Sequence, residues 1–416
     1  MKKYLYIVLL ILGICPGIMM AGGFQINEHG ARAMGLGGAF TAIANDASSI
    51  YWNNAGMTQL SGTNFMLGTA LIAPSSEFRG VTPAVDKNEM ESDVFFPSHF
   101  FITHSINKSL ALGIGITTPF GLGTEWKAGW VGRYLALKTQ LTTFWVPITA
   151  AYQLLDNLSV GASFVYSFAD VTITQNSSQE PFEGDAYVDL EGSDHSAFGY
   201  TFGIMYKPTD IVSIGASFRS EISYDFEGTA TTTGAEQLMQ IGALPNGDIT
   251  ADLTTPMNIV VGVAVQVIPE LLLSTDFQWI GWSSYDTLAV DFLDESAEDV
   301  ASPRLYKDTY IIRFGAQYNI SKTVALLGGI YYDQMPVEPA YVNPSLPDTD
   351  RLGFSIGAEG KITEQFGISG SYLFIRGSQL EVTDSQEIYT SGNSPFNGTY
   401  NSSANLLSLS LNYYLQ

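Results

Sequence analysis

The sequence is short of cysteine, of positive charge and of long apolar runs, and each shortage removes a class of protein. Cys15 is the only cysteine in 416 residues and lies in the first apolar stretch, so the rest of the chain has no disulfide, thiolate nucleophile or cysteine metal site. Lys and Arg total 18 against 41 Asp and Glu, a formal net charge of −23, which argues against nucleic acid, whose phosphates demand cations. Charged residues make up only 14% of the chain, against 46% hydrophobic and 12% aromatic, less charge than a water-facing surface of this size carries. Beyond the amino terminus no segment offers the ~18 consecutive apolar residues of a membrane helix. A chain of this kind that crosses a membrane does so with strands.

Lys2 and Lys3 precede an apolar run from Tyr4 to Ile14, and Ala21 is a small residue at a plausible cleavage point. Residues 1–21 therefore read as a secretory signal, with the mature chain starting near Gly22. Ile14 speaks against a lipoprotein, because the residue before the modified cysteine should be small.

After about residue 62 the pattern alternates with period two. Between Met257 and Val267 the odd positions are Met257, Ile259, Val261, Val263, Val265 and Val267; the even ones include Asn258, Gly262 and Gln266. Between Leu158 and Phe168, large apolar residues face Ser159, Gly161, Ser163 and Ser167. A soluble β-sandwich would set Lys, Arg and Glu on its second face, whereas small and uncharged residues suit the lumen of a barrel whose other face meets lipid. Fourteen segments are predicted, near 63–73, 94–104, 109–117, 133–153, 157–174, 195–207, 210–226, 256–268, 271–290, 308–318, 323–333, 351–361, 365–380 and 404–415. The expected fold is all-β: a fourteen-stranded antiparallel transmembrane β-barrel over 61–416, its even count leaving both termini in the periplasm. Turns such as 155–157 and 208–210 alternate with long polar connections at 175–194, 227–254, 291–307 and 381–403, expected outside the cell. Tyr331, Tyr332, Tyr413 and Tyr414 fit an interfacial girdle.

Residues 22–60 do not alternate. Ala31–Ala47 is rich in Ala and Gly, with Gly35, Gly37 and Gly38 interrupting any long helix. The segment is too apolar for a disordered tail. A small helical hatch inside the lumen is the reading it supports.

Several motifs resemble one family. Gly23-Phe24-Gln25-Ile26-Asn27-Glu28, Ala44-Asn45-Asp46-Ala47-Ser48-Ser49 and Asn53-Asn54-Ala55 are similar to the hatch of the FadL/TodX family of outer-membrane hydrocarbon and long-chain fatty acid transporters. That family usually has Asn-Pro-Ala where this chain has Asn53-Asn54-Ala55. Pro119-Phe120-Gly121-Leu122, Thr124-Glu125-Trp126, Trp130-Val131-Gly132-Arg133-Tyr134, Trp282-Ser283, Tyr332-Asp333, Pro336-Val337 and Pro347-Asp348-Thr349-Asp350-Arg351 also resemble its signatures, so the matches run from residue 23 to about 375.

The resemblance implies passive, ligand-gated transport of hydrophobic molecules across the bacterial outer membrane, with lateral exit at a kinked third strand beside the hatch. The candidate wall opening comprises Pro119, Phe120 and Gly121, where Pro119 closes the strand, together with Gly113 and Gly115, which remove side chains from one face. They read equally as ordinary small lumen residues. Arg133 and Arg351 are candidate partners for a fatty acid carboxylate, with pairing to Asp348 or Asp350 as the competing reading.

Chemistry of other kinds finds no motif. Asp194-His195-Ser196 would alternate faces on a strand and cannot form a triad by adjacency. No Gly-x-Ser-x-Gly elbow or His-Glu-x-x-His metal motif occurs, and no metal or cofactor is expected. The expected partners are hydrophobic small molecules, outer-membrane lipid and lipopolysaccharide, with the protein a monomer. The competing functions are a structural or adhesive barrel and a non-selective porin.

Overall fold

The computed structural model describes residues 22–83, 85–178, 184–234, 246–294, 299–388 and 394–415. Alternation becomes a wall of fourteen strands. The first six are β1 (Thr63–Gly80), β2 (Lys87–Glu89 and Ser98–Ser105), β3 (Leu110–Ile116 and Gly121–Glu125), β4 (Lys138–Leu155), β5 (Leu158–Ser178) and β6 (Asp185–Thr209). Four interrupted strands follow: β7 (Val212–Arg219 and Ile222–Thr233), β8 (Gly247–Thr255 and Asn258–Ile268), β9 (Leu271–Ile280 and Thr287–Phe292) and β10 (Val300–Pro303 and Thr309–Asn319). The last are β11 (Val324–Asp333), β12 (Arg351–Lys361), β13 (Phe366–Gly377) and β14 (Gly398–Leu415). Neighbours pair antiparallel, and β14 closes on β1 in unbroken register from Thr63–Leu415 to Gly80–Gly398. Closure leaves neither the first nor the last strand as a free edge, as a spanning sheet requires, because lipid offers no partner to an unpaired N–H or C=O.

The two faces sort as their residues dictate. On β14, Leu407, Leu409 and Leu411 point outward and are exposed, while Ser408 and Ser410 point inward and are buried. On β8, Ile259 and Val261 face out; Asn258, Val260 and Ala264 face in. The outward side chains would cost free energy in water in proportion to their apolar area, and lipid removes that cost.

Inside the wall lie α1 (Ala31–Gly35), α2 (Ser49–Trp52) and a 3-10 turn (Asn54–Gln59). None is long enough to be stable alone, so packing and wall hydrogen bonds hold them. Ala31 N donates to Ser410 Oγ (2.9 Å), Ser371 Oγ to Ala31 O (2.7 Å) and Ser355 Oγ to Gly35 O (2.9 Å). Asp276 Oδ2 accepts from the N–H groups of Phe40 (3.1 Å) and Thr41 (2.9 Å). Lumen serines thus satisfy backbone groups that short helices leave open. Gly37, at φ 64°, meets Gly329 backbone to backbone, an approach that any side chain at either position would block.

The strands reach further than the alternation suggested. Parts of 175–194 and 227–254, expected as loops, extend β5, β6, β7 and β8. Thr229–Thr233 shows why: β-branched residues favour strands with or without lipid. β4 begins at Lys138, not 133, because Gly132–Leu137 forms a turn. The expected continuous strand 271–290 breaks after Ile280, where Trp282 enters a 3-10 turn and is fully buried.

Candidate functional site: a break in the wall

Strand β3 loses one of its neighbours half-way along. β2 and β3 pair from Ser105–Ala111 to Phe100–Ile116, and the next contact of that ladder among the described residues is the isolated bridge Met90–Trp126. On its other side β3 keeps β4, first as Ile114–Ile148, then as the bridge Thr117–Trp145, then as Gly121–Thr142. The sum of paired residue numbers rises by one between the last two, a bulge centred on Thr117–Phe120. Pro119 has no N–H to offer a ladder, so a break beside it is expected chemically.

The freed backbone of β3 pairs with the amino-terminal segment instead. Ile26 N donates to Pro119 O (2.8 Å) and Gly121 N to Phe24 O (3.0 Å). Phe24 packs edge-on to Trp282 (4.8 Å), Tyr285 (5.5 Å) and Phe120 (6.0 Å), and Phe120 and Trp282 are both buried. Residues 23–26 therefore act as a short inner strand over the bulge.

Beside this segment lies a cavity of about 660 Å³. Its lining includes lumen groups, among them Glu28, Arg313 and Tyr331, together with Phe96, Val94 and Phe144 of the outer face. Phe96 is 63% exposed on the outside of the wall. A cavity can take its lining from both faces of one sheet only where the sheet is open. A second, more apolar cavity of about 340 Å³, lined by Leu135, Phe226, Leu253, Leu288 and Tyr306, sits nearer the extracellular end. Phe24, Leu122, Leu141 and Leu346 line both cavities and form the partition between them.

Polar contacts fasten the amino-terminal segment. Asp348 Oδ2 accepts from Gly23 N (2.6 Å), Arg351 Nη2 donates to Gly23 O (3.0 Å), and Arg351 pairs with Asp348 Oδ1 (2.7 Å). Burial pushes the Asp348 carboxyl above its usual range, against the pull of Arg351 and its backbone donors. Glu28 shows part of its surface to the cavity yet lies deep in the barrel, and burial pushes its carboxyl up to about 7. The bond from Asn27 N and the charges of Arg313 and Arg351 pull it down, and Asp333 adds to the rise.

A pH dependence follows. Because the docked carboxyl holds its proton up to a higher pH than a solvated one, docking of this segment is strongest below the ordinary glutamate range, near 4.5, and weakens as pH rises through about 7. Hydrogen exchange of residues 24–30, corrected for intrinsic rate, should be faster at pH 8 than at pH 5.5. Glu28→Gln should remove most of that difference.

The candidate residues disperse. Pro119, Phe120 and Gly121 lie at the bulge itself. Gly113 and Gly115 lie in the half of β3 that is still paired with β2 and face inward: a Cβ at Gly113 would meet Met57 Cε at 2.8 Å and Ile50 Cδ1 at 2.9 Å, and one at Gly115 would overlap the Phe101 ring. Their smallness makes room for neighbours, so Gly115→Val should lower barrel stability by about 1–3 kcal/mol, as overpacking does, measurable by denaturant-induced loss of heat-modifiable mobility.

Asn53, Asn54 and Ala55 pack against β5 and β6. Asn53 Nδ2 donates to Thr41 O (2.9 Å) and Ile204 O (3.0 Å), and Asn54 Nδ2 to Ser163 Oγ (3.0 Å) and Thr201 Oγ1 (3.0 Å). The 3-10 turn starts at Asn54, whose side chain does the binding. Arg133 lies outside the lining of both cavities, its Nε bonded to Asp185 Oδ2 (2.6 Å). Arg351 does line the larger cavity, with Asp348 as its partner. Asp194, His195 and Ser196 lie at a register shift within β6, where Ser196 N donates to Asp194 Oδ1 (2.8 Å).

Other groups had no signal in the sequence. Phe95, bridged to Ile72 of β1, lays its ring where a side chain at Gly123 would stand, across the open stretch of the wall. Arg313 reaches the cavity while bonded to Gln278 Oε1 (2.6 Å).

The chain matches the family model described as "outer membrane protein transport protein (OMPP1/FadL/TodX)" over residues 14–415. It is 24% identical to outer membrane protein P1 of Haemophilus influenzae, over 96% of each chain, and 25% identical to a long-chain fatty acid transport protein of Salmonella typhi, over 87% of this chain and 89% of that one. The fold superposes on a FadL homologue of Pseudomonas aeruginosa with a TM-score of 0.85 at 20% identity, covering 94% and 99% of the two chains. It superposes on the toluene transporter TodX of Pseudomonas putida with a TM-score of 0.76 at 17% identity, covering 94% and 100%. A closed barrel broken at its third strand, matched to the family model along nearly its whole length, belongs to the OMPP1/FadL/TodX family of outer-membrane transport proteins.

Proposed function

We propose that the protein passes small hydrophobic molecules, long-chain fatty acids or aromatic and aliphatic hydrocarbons, across the outer membrane by passive, ligand-gated diffusion with exit through the wall between β2 and β3. The observation that carries this reading is the cavity lined by both faces of the sheet. An apolar solute gains nothing from a watery pore; it needs apolar surface along its route and an exit into lipid. The extracellular cavity, the Phe24–Leu122 partition, the larger cavity and the Phe95 ring lie in that order. Residues 22–60 act as the hatch that denies the lumen to water, and residues 1–21 as the signal removed on export.

The relatives named for fatty acid and toluene transport support the choice of substrates. They point to a carrier rather than a catalyst. The working unit in this reading is a monomer bounded by lipid and lipopolysaccharide. A porin or a bare anchor would have no use for an amino-terminal segment bonded into the break of β3.

The test is uptake of a labelled long-chain fatty acid and of an aromatic hydrocarbon by cells lacking their own transporter, with and without this protein inserted. Protein-dependent entry of at least one class is expected. Entry of neither, with insertion verified, overturns the reading.

A further inference from the structure

Three carboxylates meet at the larger cavity: Glu28 and Asp333 in its lining, and Asp348 bonded to Arg351. Two guanidiniums face them, those of Arg313 and Arg351. Of the three, one carboxylate is left without a partner of its own. Asp348 is fully occupied by Gly23 N, Thr349 N and Arg351. Asp333 is 6% exposed, and its Oδ1 has no hydrogen-bond partner. A buried carboxylate oxygen left unpaired is costly, and such an atom points to a missing partner.

The neighbour of that oxygen is Gly22. A Cβ built on Gly22 would fall on the Asp333 carboxylate, and the backbone nitrogen of any residue stands about 2.5 Å from its Cβ. The Gly22 nitrogen therefore stands no more than about 4.5 Å from Asp333 Oδ1, a distance that a small turn of the carboxylate closes to an ion pair. In the full chain that nitrogen is a neutral amide. Cleavage after Ala21 would turn it into an ammonium.

We infer that the α-ammonium of the mature chain, at Gly22, is the missing partner, and that Asp333 is its receptor. Signal removal then gives the unpaired Asp333 carboxylate an ionic partner, and it fastens the first residue while Asp348 and Arg351 fasten the second. A side chain at position 22 would push aside the carboxylate that holds the amine. The inference rests on cleavage before Gly22 and not on which solute is carried, so the uptake experiment and the one below fail independently.

The test uses protein purified from outer membranes. Intact mass should show a chain beginning at Gly22; any other start overturns the inference. The folded protein is then acetylated at pH 7 with an N-hydroxysuccinimide ester, and the rates at the amino terminus and at the exposed Lys108 are read by mass spectrometry. A free α-amine titrates about two pH units or more below a lysine and would react first. The expected result is the reverse order in the wild type, with the amino terminus slower than Lys108, and the ordinary order in Asp333→Asn. An amine shielded by burial alone would stay slow in Asp333→Asn, and that outcome overturns the inference, as does fast labelling of the wild type. A serine inserted between Ala21 and Gly22, which moves the amine one residue away while leaving the wall untouched, should also restore fast labelling and guards against a misfolded Asp333 variant.

Discussion

Gly123→Trp should reduce uptake of every transported hydrophobic molecule to the level of cells without the protein, while the barrel still folds and inserts. Gly123 sits on the stretch of β3 that has lost β2, and the atom its new Cβ would meet is the far end of the Phe95 ring. That ring can swing aside, so the indole has space to enter, and the space it takes is the opening itself. Gly328→Trp is the matched control. Gly328 is on β11 with nothing within 4 Å of its Cβ position, and a tryptophan there should leave uptake unchanged. Labelled-substrate uptake, with heat-modifiable gel mobility as the check on folding, reads both.

The intact barrel should carry no steady ion current in planar bilayers, and deleting Phe24–Leu60 should turn it into a permanently open pore. The deleted segment is what Ser355, Ser371, Ser410 and Asp276 bond, and it covers the buried guanidiniums of Arg219 and Arg313. Water can hydrate all of these groups, so the emptied lumen stays wet rather than collapsing. The opening between β2 and β3 would also lose the inner strand that pairs Pro119 and Gly121. Selectivity for apolar solutes should vanish with it. A deletion variant that folds, as judged by mobility, and remains electrically silent would show that residues 22–60 are not the plug.

These outcomes separate what the sequence discloses from what it hides. Lipid is a uniform solvent, so each outward residue answers to it alone. Met257–Val267 and Leu158–Phe168 could therefore be assigned a lipid side and a lumen side from their own pattern. Strand ends were less legible, since Thr229–Thr233 favours a strand as strongly in water as in lipid. The glycines of 35–38 signalled close packing without naming Gly329 as the partner.

The opening was half visible. Pro119 marked a strand that could not continue, but the gap is a relation between β3 and β2, and nothing in residues 91–97 announces that they leave their neighbour. The polar anchor was less visible still, because Asp348 and Gly23 are 325 residues apart and meet only when the barrel closes. Arg133 shows the opposite limit. It stood in a conspicuous motif, yet the fold gives it to Asp185 and keeps it out of both cavities.

The route itself is tested most directly by photo-crosslinking. A diazirine-bearing hydrophobic substrate would be illuminated during uptake by intact cells and its adducts mapped by mass spectrometry. Lateral exit requires adducts at Leu122 and Phe95 on the path and at Phe96 and Phe144 on the outer rim. Adducts that bypass the rim and gather instead at Asn45, Gln59 and Lys207, which line a polar cavity of about 380 Å³ at the periplasmic end, would mean that substrates leave through the hatch and would contradict exit through the wall.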